Sequence, residues 1–135
     1  MSVGVLFVTH SGIGRELLAT AQATLGFCPI QTACMGITQH TDPDAFTQQA
    51  RKLLADLDNG DGVLILTDAY GSTPSNIATT LARQPRVSVV AGVNLPMVLR
   101  VLNYPRLSLL ELEEKALTGG QDGVVLVITH ETGGS

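Results

Sequence analysis

The stretch VGVLFVTHSGIG, Val3–Gly14, is an unbroken apolar run that stops at His10 and passes through Ser11 into Gly12-Ile13-Gly14. A run rich in β-branched residues without polar alternation reads as a strand covered on both faces, the pattern of a parallel sheet with helices on either side. The same pattern returns in GVLILTD (Gly62–Asp68), VSVVAG (Val87–Gly92) and GVVLVIT (Gly123–Thr129), with IQTACMG (Ile30–Gly36) as a weaker candidate for an edge strand.

Helical periodicity fills the intervals. In DPDAFTQQARKLLADLD, Phe46, Ala50, Leu53, Leu54 and Leu57 form one apolar stripe, with Asp42 as N-cap, Pro43 in the first helical position and Asn59-Gly60 as a left-handed stop. An earlier helix carries Leu17, Leu18, Ala21 and Leu25 inward and ends near Gly26. A later one opens with the capping box Ser108–Glu111 and buries Leu109, Leu112 and Ala116, while shorter helices follow Pro74 and Pro96. Strand and helix in alternation predict a single α/β domain: an open, mainly parallel sheet with helices on both faces and right-handed crossovers. The domain is expected over residues 1–130, with 131–135 as a flexible tail.

Composition supports one domain with an aliphatic core: 135 residues, 44% apolar and 15% charged. Eight basic and 12 acidic residues give a net charge of -4 with no run of like charge, which argues against a nucleic-acid partner. The apolar runs are too short to span a bilayer and no basic region precedes the first, so a cytoplasmic protein is expected, without membrane insertion. Cys28 and Cys34 match neither a zinc nor a redox spacing and read as small buried hydrophobes.

In open α/β sheets the functional crevice lies beyond the C-terminal ends of the strands. One strand ends in Thr9-His10 and another in Thr67-Asp68. If these are neighbours, Asp68 can hold one ring nitrogen of His10 protonated and leave the other as a nucleophile. In DAYGSTPSN (Asp68–Asn76), Gly71 permits a tight turn and Pro74 starts a helix, so the amides of Ser72, Thr73 and the first helical turn, with the two hydroxyls, are expected to form an anion cradle. Alone, His10 reads as a half-buried histidine bonded to backbone, Asp68 as a cap and Gly71, Ser72 and Thr73 as loop chemistry; their coincidence points to a phosphohistidine site. His40 and His130 fall away from these strand ends, so no metal site is expected.

At these residues the chain resembles the IIA component of the mannose family of the bacterial phosphoenolpyruvate-dependent sugar phosphotransferase system. The resemblance covers nearly the whole chain and rests on THSGIG, GVLILTDAYGSTPSN and VVAGVNLPMVLRVL, in that order and spacing. It implies a phosphotransferase in which His10 accepts a phosphoryl group from the phosphohistidine of the carrier HPr and passes it to a IIB domain. Asp68 would orient the ring through its other nitrogen, and Gly71, Ser72 and Thr73 would contact the phosphate. It also implies no cofactor beyond the covalent phosphohistidine, and a homodimer in which the strand near Gly123–Ile128 crosses to the partner's sheet. Sugar-transporting members often carry a glycine pair before a serine-proline where this chain reads Gly71-Ser72-Thr73-Pro74, so the hydroxyl contacts are expected to differ.

The chain ends at Ser135 without a IIB domain, so the acceptor is expected to be a separate protein. That favours regulation through the phosphorylation state over sugar uptake with membrane partners or phosphoryl supply to a dihydroxyacetone kinase. A rival of another class is a non-catalytic phosphate- or nucleotide-binding module with His10 as a mere donor. A receiver-like domain phosphorylated on Asp68 is weaker, because VTHSG brings no carboxylate for magnesium. Ile13 and Tyr70 are candidates for a contact patch with the donor protein.

Overall fold

A computed structural model describes residues 2–130. Four strands, β1 (Gly4–His10), β2 (Thr32–Ile37), β3 (Val63–Thr67) and β4 (Val87–Ala91), form one parallel sheet in the order β2-β1-β3-β4. Five helices surround it: α1 (Ile13–Leu25), α2 (Pro43–Leu57), α3 (Thr73–Leu81), α4 (Leu95–Leu102) and α5 (Leu109–Asp122).

Both faces of the sheet are buried, which is why its central strands lack polar alternation. Val5, Phe7, Leu64 and Leu66 point to one face and pack with Leu18 and Ala21 of α1, Val98 and Val101 of α4 and Leu112 and Ala116 of α5. Leu6, Val8, Val63 and Ile65 point to the other and meet Phe46, Ala50 and Leu54 of α2 and Ala78 and Leu81 of α3. The period of two along each strand thus divides the core into two layers.

The helix ends follow their local chemistry. Asp42 caps α2 by accepting from the Asp44 N–H, Gly26 closes α1 in the left-handed conformation, and both bonds of the Ser108–Glu111 capping box are present. One stop differs: α2 ends at Leu57 with Asp58 as an extended cap, whose carboxylate accepts from the N–H groups of Gly60 and Gly62. The side chain of Asp58 thus does part of the work that sequence reasoning gives to Asn59-Gly60, although Gly60 does take a positive φ of 112°.

The C-terminal strand expected over Gly123–Thr129 is absent from the single chain. Gly123 caps α5, and Val124–Ile128 run on without ladder partners among the described residues, each residue 68–85% exposed. A strand exists only beside a neighbour, and no strand among the described residues pairs with this segment. Residues 131–135, expected as a tail, lie outside the described residues.

Candidate functional site

The strand order sets the site. β1 lies between β2 and β3; α1 follows β1 onto one face and α3 follows β3 onto the other, so a crevice opens between the C-terminal ends of β1 and β3. His10 is the last residue of β1 and shares the parity of Leu6 and Val8, which directs it to the face of α2 and α3.

Asp68, one residue beyond β3, reaches it there. The ring Nδ1 of His10 lies 2.8 Å from Oδ2 of Asp68, and the backbone N–H of His10 donates to the same oxygen at 3.1 Å. The second oxygen, Oδ1, accepts from the Ala69 N–H. Burial alone raises the Asp68 pKa, but the His10 ring, the His10 amide and a backbone bond at Asp68 outweigh it and hold the carboxyl below its ordinary range. With its side chain 12% exposed, Asp68 is a largely desolvated anion aimed at a ring that is itself 48% exposed. The carboxylate assigns the proton to Nδ1 and leaves the lone pair of Nε2 facing outward.

The backbone under His10 is fixed as firmly as its ring. Thr9 is buried; its hydroxyl accepts from the Gly14 N–H and donates to the His10 carbonyl, tying the end of β1 to the first turn of α1. Ser11 takes a positive φ of 43°, costly for a residue with a Cβ, and its N–H donates to the Ile37 carbonyl. The Ser11 carbonyl lies against Gly36, where a Cβ would sit 1.9 Å from the oxygen. Only glycine in β2 lets the chain turn there.

A cavity of about 440 Å³ opens beside His10, lined also by Ser11, Thr38, Gln39, Thr41 and Thr73. Of the loop residues expected to cradle an anion, Thr73 lines this cavity, while Gly71 and Ser72 build the turn behind it. The Gly71 N–H donates to the Ser75 hydroxyl, the Ser72 N–H donates to the Ala69 carbonyl, and the Ser72 hydroxyl both donates to Ala69 and caps the Ser75 N–H. Pro74 has no N–H. The Thr73 N–H is the first-turn amide of α3 left without a partner among the described residues, and it stands at the positive end of the helix.

Sequence reasoning misses the far wall, Thr38–Thr41. The segment ITQHTD (Ile37–Asp42) carries no motif, and only knowing that β2 lies beside β1 places the loop after it at the crevice. On the opposite face of the sheet, Gly12, Ile13, Leu17 and Leu95 line an apolar groove of about 490 Å³. Tyr70, in the turn between β3 and α3, is 90% exposed. Cys28 and Cys34 are free thiols, Cys28 exposed rather than buried and Cys34 half-buried, its pKa raised by burial. No helix among the described residues is long and apolar enough to cross a membrane, and no cluster of three His, Cys, Asp or Glu side chains gathers there to hold a metal.

Comparison with known proteins agrees with this architecture. The family model described as "PTS system fructose IIA component" matches residues 4–115. The mannose-specific EIIAB component of Escherichia coli K12 is 29% identical over 129 residues, covering 92% of this chain but 39% of that protein. The chain therefore spans about two fifths of the length of that relative. The mannose/sorbose-specific IIA subunit from Enterococcus faecalis superposes with a TM-score of 0.84 at 25% identity, covering 98% of this chain and all of the other. A IIA protein associated with the fucose utilization operon of Streptococcus pneumoniae shares the fold, with a TM-score of 0.76 at 22% identity, over 94% of this chain and 96% of its own. With its parallel sheet and its histidine at the end of the first strand, the chain belongs to the mannose family of IIA components of the phosphotransferase system.

Proposed function

We propose that this protein is a phosphoryl carrier: Nε2 of His10 accepts a phosphoryl group from the phosphohistidine of HPr and hands it on to a IIB protein. The observation that carries this reading is the pairing of Nδ1 with Asp68 at 2.8 Å, which leaves the other ring nitrogen free in a partly open crevice. As the new Nε2–P bond forms, the N–P bond of the donor breaks and its electron pair returns to the donor ring. The Nδ1 proton stays between His10 and Asp68, so the positive charge gained by the ring is offset by a carboxylate already in place. The Thr73 N–H and hydroxyl stand ready for the phosphoryl oxygens, supported from behind by Gly71 and Ser72. Such chemistry is positioning plus electrostatics, and it calls for neither metal nor cofactor.

The donor docks, in this reading, on the rim formed by Ile13, exposed at the start of α1, and Tyr70, exposed in the turn between β3 and α3. The protein acts as a homodimer. Supporting this, β4 pairs only with β3 among the described residues, and the apolar segment Val124–Ile128, without ladder partners there, leaves α5 where Gly123 packs on Pro96 in the first turn of α4, the helix that follows β4. Pairing of this segment with the β4 edge of a second copy would cover both.

Intact mass after incubation with phosphoenolpyruvate, enzyme I and HPr tests the carrier reading. One acid-labile phosphoryl group on the wild type and none on His10→Ala is the expected result. No gain from a donor system active on another IIA protein contradicts it, and tight binding of a small phosphate ester without covalent labelling would point to a binding module instead.

A further inference from the structure

We infer that the hydroxyl pair Thr38–Thr41, in the loop between β2 and α2, donates a hydrogen bond to the phosphoryl group on His10 and closes the cradle from the side opposite Thr73. The inference rests on the carrier reading above and concerns residues outside THSGIG, GVLILTDAYGSTPSN and VVAGVNLPMVLRVL, the stretches that carry the resemblance.

Strand order gives the placement. β1 is flanked by β2 and β3, so the loops after those two strands stand on either side of His10, and Thr38, Thr41 and Thr73 line one cavity with it. The α3 side is short of donors, since the amides of Gly71, Ser72 and Ser75 and the Ser72 hydroxyl are all engaged within the turn. A phosphoryl group has three acceptor oxygens, more than Thr73 alone can satisfy.

Proton bookkeeping shows what the far wall offers. The Thr38 N–H donates to the Thr41 hydroxyl at 2.9 Å, the His40 N–H donates to the Thr38 hydroxyl at 3.3 Å, and the two hydroxyls are bonded to each other at 3.1 Å. One O–H proton is used in the mutual bond and one is left over. The hydroxyl that keeps the free proton is the one accepting twice, from a backbone N–H and from its partner, so its lone pairs are filled. Whichever way the mutual bond runs, the pair presents one outward donor, polarised by the N–H groups behind it. Such a group suits an anion.

The pair also makes an unusual mutational prediction. Removing either hydroxyl frees the O–H of the other, so Thr38→Val or Thr41→Val alone retains a donor, whereas the double valine variant has none. A role confined to holding the loop predicts the reverse, with each single change already losing a backbone bond.

The test compares wild type, both single valine variants, the double valine variant and a double serine variant, all phosphorylated by HPr. The readouts are the transfer rate and the pH midpoint of phosphoryl ionisation by phosphorus NMR. A hydrogen bond to a charged group leads us to expect a loss of about tenfold or more in rate for the double valine variant, modest change in the single variants, and recovery with serine. Because a lost donor disfavours the dianion, the ionisation midpoint should move up only in the double valine variant. In the wild type, the Thr38 and Thr41 methyl resonances should shift on phosphorylation, a check that holds even if the double variant fails to fold. An unchanged midpoint and rate in a folded double variant, or methyl resonances that do not move, overturn the inference and leave the carrier reading intact. A wild type that takes no phosphoryl group from an active donor overturns both.

Discussion

One oxygen of Asp68 holds His10 by two handles, the ring Nδ1 at 2.8 Å and the backbone N–H at 3.1 Å. The contact fixes the ring's direction and tautomer together with the strand end that carries it. Replacing Asp68 with Asn keeps the shape and removes the charge. Loss of a charge-assisted bond in the transition state predicts phosphorylation of Asp68→Asn slower by about 10- to 100-fold. Single-turnover transfer from phospho-HPr measures this, with His10 still labelled at the end.

The Asp68 carboxyl titrates below its ordinary range because bonds from His10 outweigh its burial. His10→Ala removes the ring donor but keeps the amide, so the Asp68 midpoint should rise in that variant, as carbon NMR of the carboxyl can show. For a carboxyl whose folded pKa is depressed, the linked stability is present above the unfolded value of about 3.9 and is lost as pH falls through the folded value. Acid unfolding of the wild type should therefore steepen in that window, and less so in Asp68→Asn.

Gly36 lies under the Ser11 carbonyl with no room for a methyl group. Both atoms belong to backbone, so relief requires the turn after His10 to move. Gly36→Ala is expected to cost about 1–3 kcal/mol in chemical denaturation, by overpacking, and to slow phosphorylation as His10 drifts from Asp68. Wild-type transfer rates in this variant would contradict the clamp.

Phe7 is fully buried in the layer beneath α1, α4 and α5. Phe7→Ala is expected to lose about 3–5 kcal/mol, read from denaturant midpoints. The site lies at the strand ends, so any protein that remains folded should still be labelled at His10.

The exposed segment Val124–Ile128 predicts a dimer that depends on it. Sedimentation of the full chain should give a dimer, and a chain cut after Gly123 should give a monomer that remains folded. A full chain that stays monomeric at high concentration would contradict the proposed pairing.

Much of this was legible in the residues because burial on two faces removes polar alternation: β1, β3 and β4 appear as continuous runs, and β2 as a weaker one at the edge. His10 and Asp68 could be paired once two strands were seen to end in them. Val124–Ile128 carries the same apolar signature as β1, yet pattern records only that a segment wants covering, never which chain covers it. The Thr38–Thr41 wall stayed hidden for another reason, since its place beside His10 comes from the sheet order. The sequence of the loop after β3 suggests more free donors than the fold leaves, because the turn consumes its own: Ser72 caps α3 and bonds Ala69.

Nitrogen-resolved NMR of the phosphorylated protein, with the His10 ring labelled, tests the central claim most directly. Phosphorus on Nε2, with a proton retained on Nδ1 toward Asp68, is the predicted result. Phosphorus on Nδ1, or on any residue other than His10, would contradict the account.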